Sequence, residues 1–301
     1  MFEPRVAAAS LSGEADAGWA RAAEPSVGCA FLGGIALDAD TRDAARALVA
    51  RDRTEFLPDS PLRFVDSQLS ALADADLSPG VNVRSADPGP VGEAAAVCAD
   101  HGAILEVNAH CRQEEMCAAG AGESLLRDGE RLREQVAAAA ERGATVSVKL
   151  RTEVPGVALP ELSATLLEAG ADVLHVDAMD SEPVVADVTA AVPDGFVVAN
   201  NGVRDRETAH EYLAFGADAV SVGRPSDNPV VLERVRAATE EWFDDESETR
   251  LRNDDETGAR PRGDDRTGHR GRNDDGTDTR CRNADGAGRR PRPSPDGAPD
   301  A

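Results

Sequence analysis

Lysine is almost absent from this 301-residue chain, which has a single one, Lys149, among 32 basic side chains. Aromatic residues are also scarce, at 3%, and 56 acidic side chains outnumber the basic ones for a formal net charge of −24. Many carboxylates with few lysines and few aromatics suit a protein kept soluble in a high-salt cytosol. At molar salt the Debye length is only about 3 Å, so net charge says little about partners there. The acidic balance neither requires a basic partner nor excludes nucleic acid. No run of 18 apolar residues occurs, and the opening MFEPRVAAAS lacks the basic segment and long apolar stretch of a secretory signal. A cytoplasmic location with no membrane partner is expected. The cysteines, Cys29, Cys98, Cys111, Cys117 and Cys281, are odd in number and form no C-x-x-C pair, and the histidines do not cluster with them. Neither a disulfide framework nor a metal site is expected, and reduced thiols are the default. Nothing in the composition sets the oligomeric state.

The composition breaks after Phe243. From Asp244 onward the chain carries 12 arginines and 15 acidic residues, and arginine recurs at Arg252, Arg262, Arg272, Arg282 and Arg292 in variants of RNDDETGARP. Such a segment has little to bury and cannot offset its ordering entropy, so residues 244–301 are expected to form a disordered, low-complexity tail. The functional alternative is an arginine-containing arm that touches RNA.

Residues 1–243 alternate short apolar runs with amphipathic stretches. Strands are expected at Arg5 to Ala9, Val27 to Phe31, Val81 to Arg84, Ile104 to Asn108, Thr145 to Leu150, Val173 to Val176, Phe196 to Ala199 and Ala219 to Val222. Helical patterns follow every strand from the second on, and several end in a glycine just before the next strand, at Gly102, Gly143, Gly170 and Gly216. Eight such units point to an α/β fold of the (β/α)₈ TIM-barrel type, in which chemistry sits at the C-terminal ends of the strands.

That rule selects residues. The expected strand ends present Ser10, Leu11 and Ser12, then Asn82, then Asn108, His110 and Cys111, then Lys149 and Arg151. Asp177 follows the sixth strand, Asn200, Asn201 and Gly202 the seventh, and Gly223 and Arg224 the eighth. Polar residues at nearly every strand end are expected of a ligand site, and a purely structural barrel needs none of them. A lysine retained where arginine serves everywhere else points to a role for a compact point charge that a planar guanidinium cannot fill. Glycines and a helix start after strands seven and eight suit phosphate binding through backbone N–H groups. Together these features suggest a cofactor with a phosphate at one side and a ring over Asn82, Asn108 and Lys149. Whether Cys111 is reactive or structural stays open on the residues alone.

AASLSGEAD (8–16), VNVRSADP (81–88), EVNAHCRQEEMCAAGAGESLL (106–126), VSVKLR (146–151), NNGVRDRETA (200–209) and AVSVGRPSDNP (219–229) follow one another in an order and spacing that resemble the FMN-binding barrel of tRNA-dihydrouridine synthases. The resemblance implies FMN as cofactor, NAD(P)H as electron donor and uridine in tRNA as substrate. It places the flavin against Ser10, Leu11, Ser12, Asn82 (usually Gln in the family), Asn108 and Lys149. The cofactor phosphate falls near Asn200, Asn201, Gly202, Gly223 and Arg224. Cys111 takes the position of the family's proton donor, and His110 and Arg151 fall on the substrate side. In that chemistry reduced flavin delivers hydride to C6 of uracil and an acid on the other side protonates C5, a task a thiol of ordinary pKa about 8.5 can perform.

The match has departures. The family's Gly-Cys-Pro reads His110-Cys111-Arg112, and Asp177 stands where the family has a flavin-contacting histidine. His175, two residues earlier, should point the same way, and Asp177 has the alternative of a cap or an ion pair with Arg151 or Arg224. The sequence passes from EEWF into the tail where the family continues into an RNA-gripping helical module, so phosphate contacts are expected from the barrel rim or the tail. Two alternatives follow. One is a flavin enzyme of a free pyrimidine, since dihydroorotate dehydrogenases also carry Asn-x-x-Cys after strand four. The other is a flavin-binding barrel that does not catalyse.

Overall fold

The computed structural model describes residues 1–256, with side chains described through Asp245; the arginine repeats beyond, Cys281 included, lie outside the described residues. Eight parallel strands close into a barrel in sequence order: β1 (Val6–Ala8), β2 (Cys29–Ala36), β3 (Ser78–Arg84), β4 (Ile104–Asn108), β5 (Thr145–Arg151), β6 (Val173–Asp177), β7 (Phe196–Asn200) and β8 (Ala219–Val222). β8 pairs with β1, with Val6 opposite Val220, and this closes the ring. The expected TIM barrel is the observed fold.

Side chains on a strand alternate between its faces, and the two faces of this sheet differ in chemistry. Outward residues such as Val81, Val83, Leu105, Val107, Val146, Val148, Leu174 and Val176 join one apolar core with the helices. Inward residues change along the barrel axis. At the N-terminal end Phe2, Ala7, Cys29, Phe31, Ile104, Val173, Val198 and Ala219 form an apolar plug. Two residues further along come Glu106, Ser147, His175 and Ser221, all buried. Beyond these stand Asn108, Lys149, Asp177 and Asn200 at the strands' C-terminal ends. The apolar plug seals one end, so the polar residues can meet a ligand only at the other.

Helices link the strands as the periodicity requires, with Gly102, Gly143, Gly170 and Gly216 at positive φ where helices end. Three features differ from the sequence expectation. A short helix, Ala17–Ala23, capped by Asp16 accepting from the N–H of Trp19, lies between β1 and β2. Its seven residues are too few to show periodicity. The final helix spans Pro229–Glu256 and runs through the compositional break at residue 244. Its first half is docked by Leu232, Val235 and Ala238, and helical hydrogen bonds are local, so an acidic continuation needs no core of its own. β2 extends to Ala36, past the expected end at Phe31 and through the Gly33–Gly34 pair.

Gly34 sits where β2 passes β3 closely. A Cβ there would lie 2.7 Å from Asn82 Oδ1 and 2.9 Å from Arg84 Nε. The Gly34→Ala variant should therefore lose about 1–3 kcal/mol of stability, the usual cost of overpacking, read as a lower denaturant midpoint. An unchanged midpoint would show that these two side chains yield freely.

Candidate active site at the barrel mouth

The polar interior is organised around the Glu106 carboxylate, which can only accept hydrogen bonds while ionised. Asn82 Nδ2 donates to its Oε1 at 2.8 Å, and Ser147 Oγ and His175 Nδ1 donate to its Oε2 at 3.0 and 2.7 Å. The Asn82 amide is thereby oriented, with Oδ1 free to accept from Asn108 Nδ2 at 2.8 Å. Asn108 in turn has its Oδ1 aimed at the loop beyond β4, where it accepts from the backbone N–H of Cys111 at 3.0 Å and of His110 at 3.3 Å. On the other side His175 Nε2 meets Ser221 Oγ at 2.7 Å, and Asn200 Nδ2 also donates to that hydroxyl. One carboxylate thus orients side chains on five strands and the Cys111 loop.

Charges in this layer answer to burial and to each other. Burial pushes the Glu106 pKa up, but the charges of His175 and Lys149 and the bonds from His175 and Asn82 hold it below the usual carboxylate range. Burial lowers the pKa of Lys149, opposed by Glu106 and Asp177. His175 is also lowered, chiefly by burial and against the pull of Glu106, with Nδ1 facing Glu106 and Nε2 facing Ser221 Oγ. Lys149 is only 3% exposed, and its ammonium has no hydrogen-bond or ion-pair partner among the described residues. An ammonium buried in this way is costly unless an acceptor arrives to meet it.

Above this layer the mouth holds three adjoining cavities that share Ser10, His110 and Arg224. The largest, about 610 Å³, is lined by Leu11, Lys149, Asp177, Asn200, Asn201, Gly202, Val203 and Gly223. A second, of about 290 Å³, includes Ser12, Arg84, Asn108, Cys111, Arg112 and Arg151, and a third, of about 440 Å³, opens towards Arg53 and Thr54. Lys149 and Cys111 therefore line neighbouring cavities, with His110 lining both. Every strand-end residue selected from the sequence lines this mouth except Asn82, which is fully buried one step below and supports Asn108.

The cradle at β7 and β8 has donors to spare. The backbone N–H groups of Gly202, Val203 and Gly223 have no acceptor among the described residues, and all three residues line the largest cavity. Gly202 has φ +67°, a turn conformation that glycine adopts without strain, and a Cβ on Gly223 would meet nothing within 4 Å.

Cys111 is 8% exposed and packs against Ala36, Ala45, Leu48 and Met116. Its carbonyl accepts from Glu123 N at 2.8 Å and from Cys117 Sγ at 3.5 Å. Gly122, at φ +63°, lets this turn close, since a Cβ there would lie 2.3 Å from the Cys111 oxygen. The other described thiols are unlike it. Cys29 and Cys98 are buried away from the mouth, and burial pushes Cys98 up to about 12.

Asp177 does not pair with Arg151 or Arg224. It stands 3.6 Å from His110 Nδ1, and its Oδ1 is buried without a hydrogen-bond partner. Arg151 goes instead to Glu123 at 3.2 Å, a residue of the loop after β4 that the strand-end rule does not select. His175 points inward like Asp177 but is consumed one layer down by Glu106 and Ser221 and does not reach the cavities. Sequence reasoning also missed Arg84, which donates to Glu55 at 2.7 Å and to Ser12 Oγ. As the last residue of β3 it met the strand-end rule. Glu55, in the loop after β2, had no such signal. Among the described residues no grouping of three or more His, Cys, Asp or Glu is placed to hold a metal, and no helix is long and apolar enough to cross a membrane.

The fold and mouth define a TIM barrel with a polar C-terminal cavity. No family model matches the chain. Over 236 residues, 74% of this chain and 89% of the relative, it is 28% identical to an uncharacterized protein of Methanocaldococcus jannaschii. Among solved structures it is similar to a DHODH from Eimeria tenella in complex with ferulenol, with a TM-score of 0.59 and 16% identity over 81% of this chain and 82% of that one. A tryptophan synthase complex from Pyrococcus furiosus gives a TM-score of 0.50 at 15% identity, over 80% and 95% of the two chains. These structural likenesses establish the barrel.

His110 is held well below its ordinary pKa, first by burial and then by the charges of Lys149, Arg84, His175 and Arg151. With His175 also lowered, two histidines resist protonation in the fold while the unfolded chain takes up protons near pH 6.5. Stability is therefore present above that pH and is lost as pH falls through it, by up to about 1.4 kcal/mol per pH unit for each histidine. Denaturant midpoints should fall between about pH 7.5 and about pH 5.5, and His110→Asn should flatten the profile. A flat profile in the parent chain would mean that the two rings are protonated without cost.

Proposed function

We propose that this protein is an FMN-dependent oxidoreductase of the dihydrouridine synthase type, reducing uridine in tRNA to 5,6-dihydrouridine with NAD(P)H as the source of electrons. The observation that carries this reading is the Lys149 ammonium, buried without an acceptor at the base of a cavity whose rim offers the unspent N–H groups of Gly202, Val203 and Gly223. A flat ligand with an electron-rich edge at one end and a phosphate at the other meets both needs. The donor set therefore fits FMN.

In this reading Lys149 would hold the electron-rich edge of the ring, Asn108 and the β1 loop at Ser10, Leu11 and Ser12 would border it, and the Gly202 and Gly223 turns with Asn200, Asn201 and Arg224 would hold the phosphate. Bound FMN would supply the hydride. The chain supplies the rest. Asn108 fixes the Cys111 backbone through the bond to its N–H, so the thiol is presented to the 290 Å³ cavity and holds the proton destined for C5 of the pyrimidine. Neutral His110 lines both cavities and, with Arg151, would border the substrate. Asp177 Oδ1, an acceptor without a donor, suits a ligand N–H or O–H.

Cys111→Ala should keep flavin bound and lose about 10²–10⁴-fold of uridine reduction, the usual worth of a positioned acid. Full turnover in that variant would remove the thiol from the reaction. Lys149→Met should weaken FMN binding by about tenfold or more, measured by the flavin absorbance retained on dialysis. Mass analysis of tRNA nucleosides with and without the gene tests the substrate, and an unchanged dihydrouridine content would rule out tRNA.

A further inference from the structure

Through residue 243 the chain has 41 acidic and 20 basic side chains, two to one. At the barrel mouth the ratio is reversed. Lys149 and six arginines line the three cavities, against four carboxylates, Glu14, Asp52, Glu55 and Asp177. A cleft of one sign in a protein of the other sign focuses the field on a ligand of opposite charge.

Some of that positive charge is spoken for. Arg84 pairs with Glu55, Arg151 with Glu123 and Arg204 with Asp205. Lys149 and Arg224 adjoin the turns of Gly202 and Gly223. Arg53 and Arg112 remain, with neither an ion pair nor a hydrogen bond from their side chains among the described residues. Both line the 290 Å³ cavity with Cys111, and neither lines the larger cavity that holds the unspent N–H groups. These two exposed guanidinium groups share the cavity with Arg84 and Arg151, with Glu55 the carboxylate that offsets Arg53, so the cavity keeps an excess of positive charge that an anion would relieve, and planar guanidinium matches an oxyanion.

We infer that Arg53 and Arg112 form a second anion subsite, beside Cys111 and apart from the Gly202–Gly223 cradle, that binds an oxyanion carried by the pyrimidine substrate. The inference rests on the proposed function for the identity of the ring, while the subsite itself rests on the charge pattern. A phosphate of a nucleotide and a carboxylate on a free pyrimidine share the required chemistry.

The test is calorimetric titration of the full chain, with and without FMN, using uridine, 5′-UMP, a uridine-containing trinucleotide and orotate. At least one of the three anions should bind about tenfold or more tighter than neutral uridine. The strongest of them identifies the source as free nucleotide, RNA or carboxylated base. Arg53→Ser and Arg112→Ser should each erode that preference and the double variant should abolish it. Arg133→Ser, an exposed arginine outside the cavities, should leave it intact. Anions that bind no tighter than uridine, or not at all, overturn the inference, as does a preference that survives in the double variant. Flavin binding without anion preference would sink the subsite and spare the cofactor reading. Anion preference in a chain that never takes up flavin would do the reverse.

Discussion

The site depends on one buried carboxylate. Glu106 is fully enclosed in the barrel, and because an ionised carboxylate only accepts, it dictates the orientation of every donor around it. The Asn82 and Asn108 amides have no freedom to flip once Asn82 Nδ2 is committed to Glu106, and the N–H of Cys111 is secured two amides away. The same charge makes a buried Lys149 tolerable, since an ammonium placed alone in this interior would lose its proton. His175 completes the arrangement, bridging Glu106 through Nδ1 and Ser221 Oγ through Nε2.

This arrangement explains why the barrel divides into an apolar half and a polar half. The plug of Phe2, Phe31, Ile104, Val173 and Val198 excludes water from one end, so the charges above it interact in a medium of low dielectric and open only toward the mouth. The helices outside contribute to function only indirectly. Their apolar faces hold the strands in register, and the register places Asn108 opposite Lys149 and Lys149 opposite His175.

The mouth itself has two sides. Toward β7 and β8 it offers backbone donors and Lys149. Toward β4 it offers the thiol, arginines and the neutral His110 ring. Asp177 stands between them with one oxygen near His110 and the other unmet, and a bound ligand's donor would satisfy it.

Much of this was legible in the sequence because barrel strands alternate with period two and end at polar residues. Eight short apolar runs gave the fold, and the strand-end rule selected Asn108, Cys111, Lys149, Asp177 and the Gly202 and Gly223 turns. Where the reading failed, the missing information was spatial. Gly33 and Gly34 lie beyond the expected end of the second strand, because only the neighbouring Asn82 and Arg84 make an absent side chain necessary there. Glu106 looks like one more acid in an acidic chain until three other strands converge on it. Arg151 finds Glu123 and Asp177 finds His110 because the loop after β4 folds back over the barrel, a course set by packing at Met116 and Gly122. Local patterns in the chain determined which segments become strands and which residues they end in, since those depend on neighbours a few positions apart. Which charges compensate one another, and which are left for a ligand, was decided only when the barrel closed, because those pairings join residues far apart in the chain.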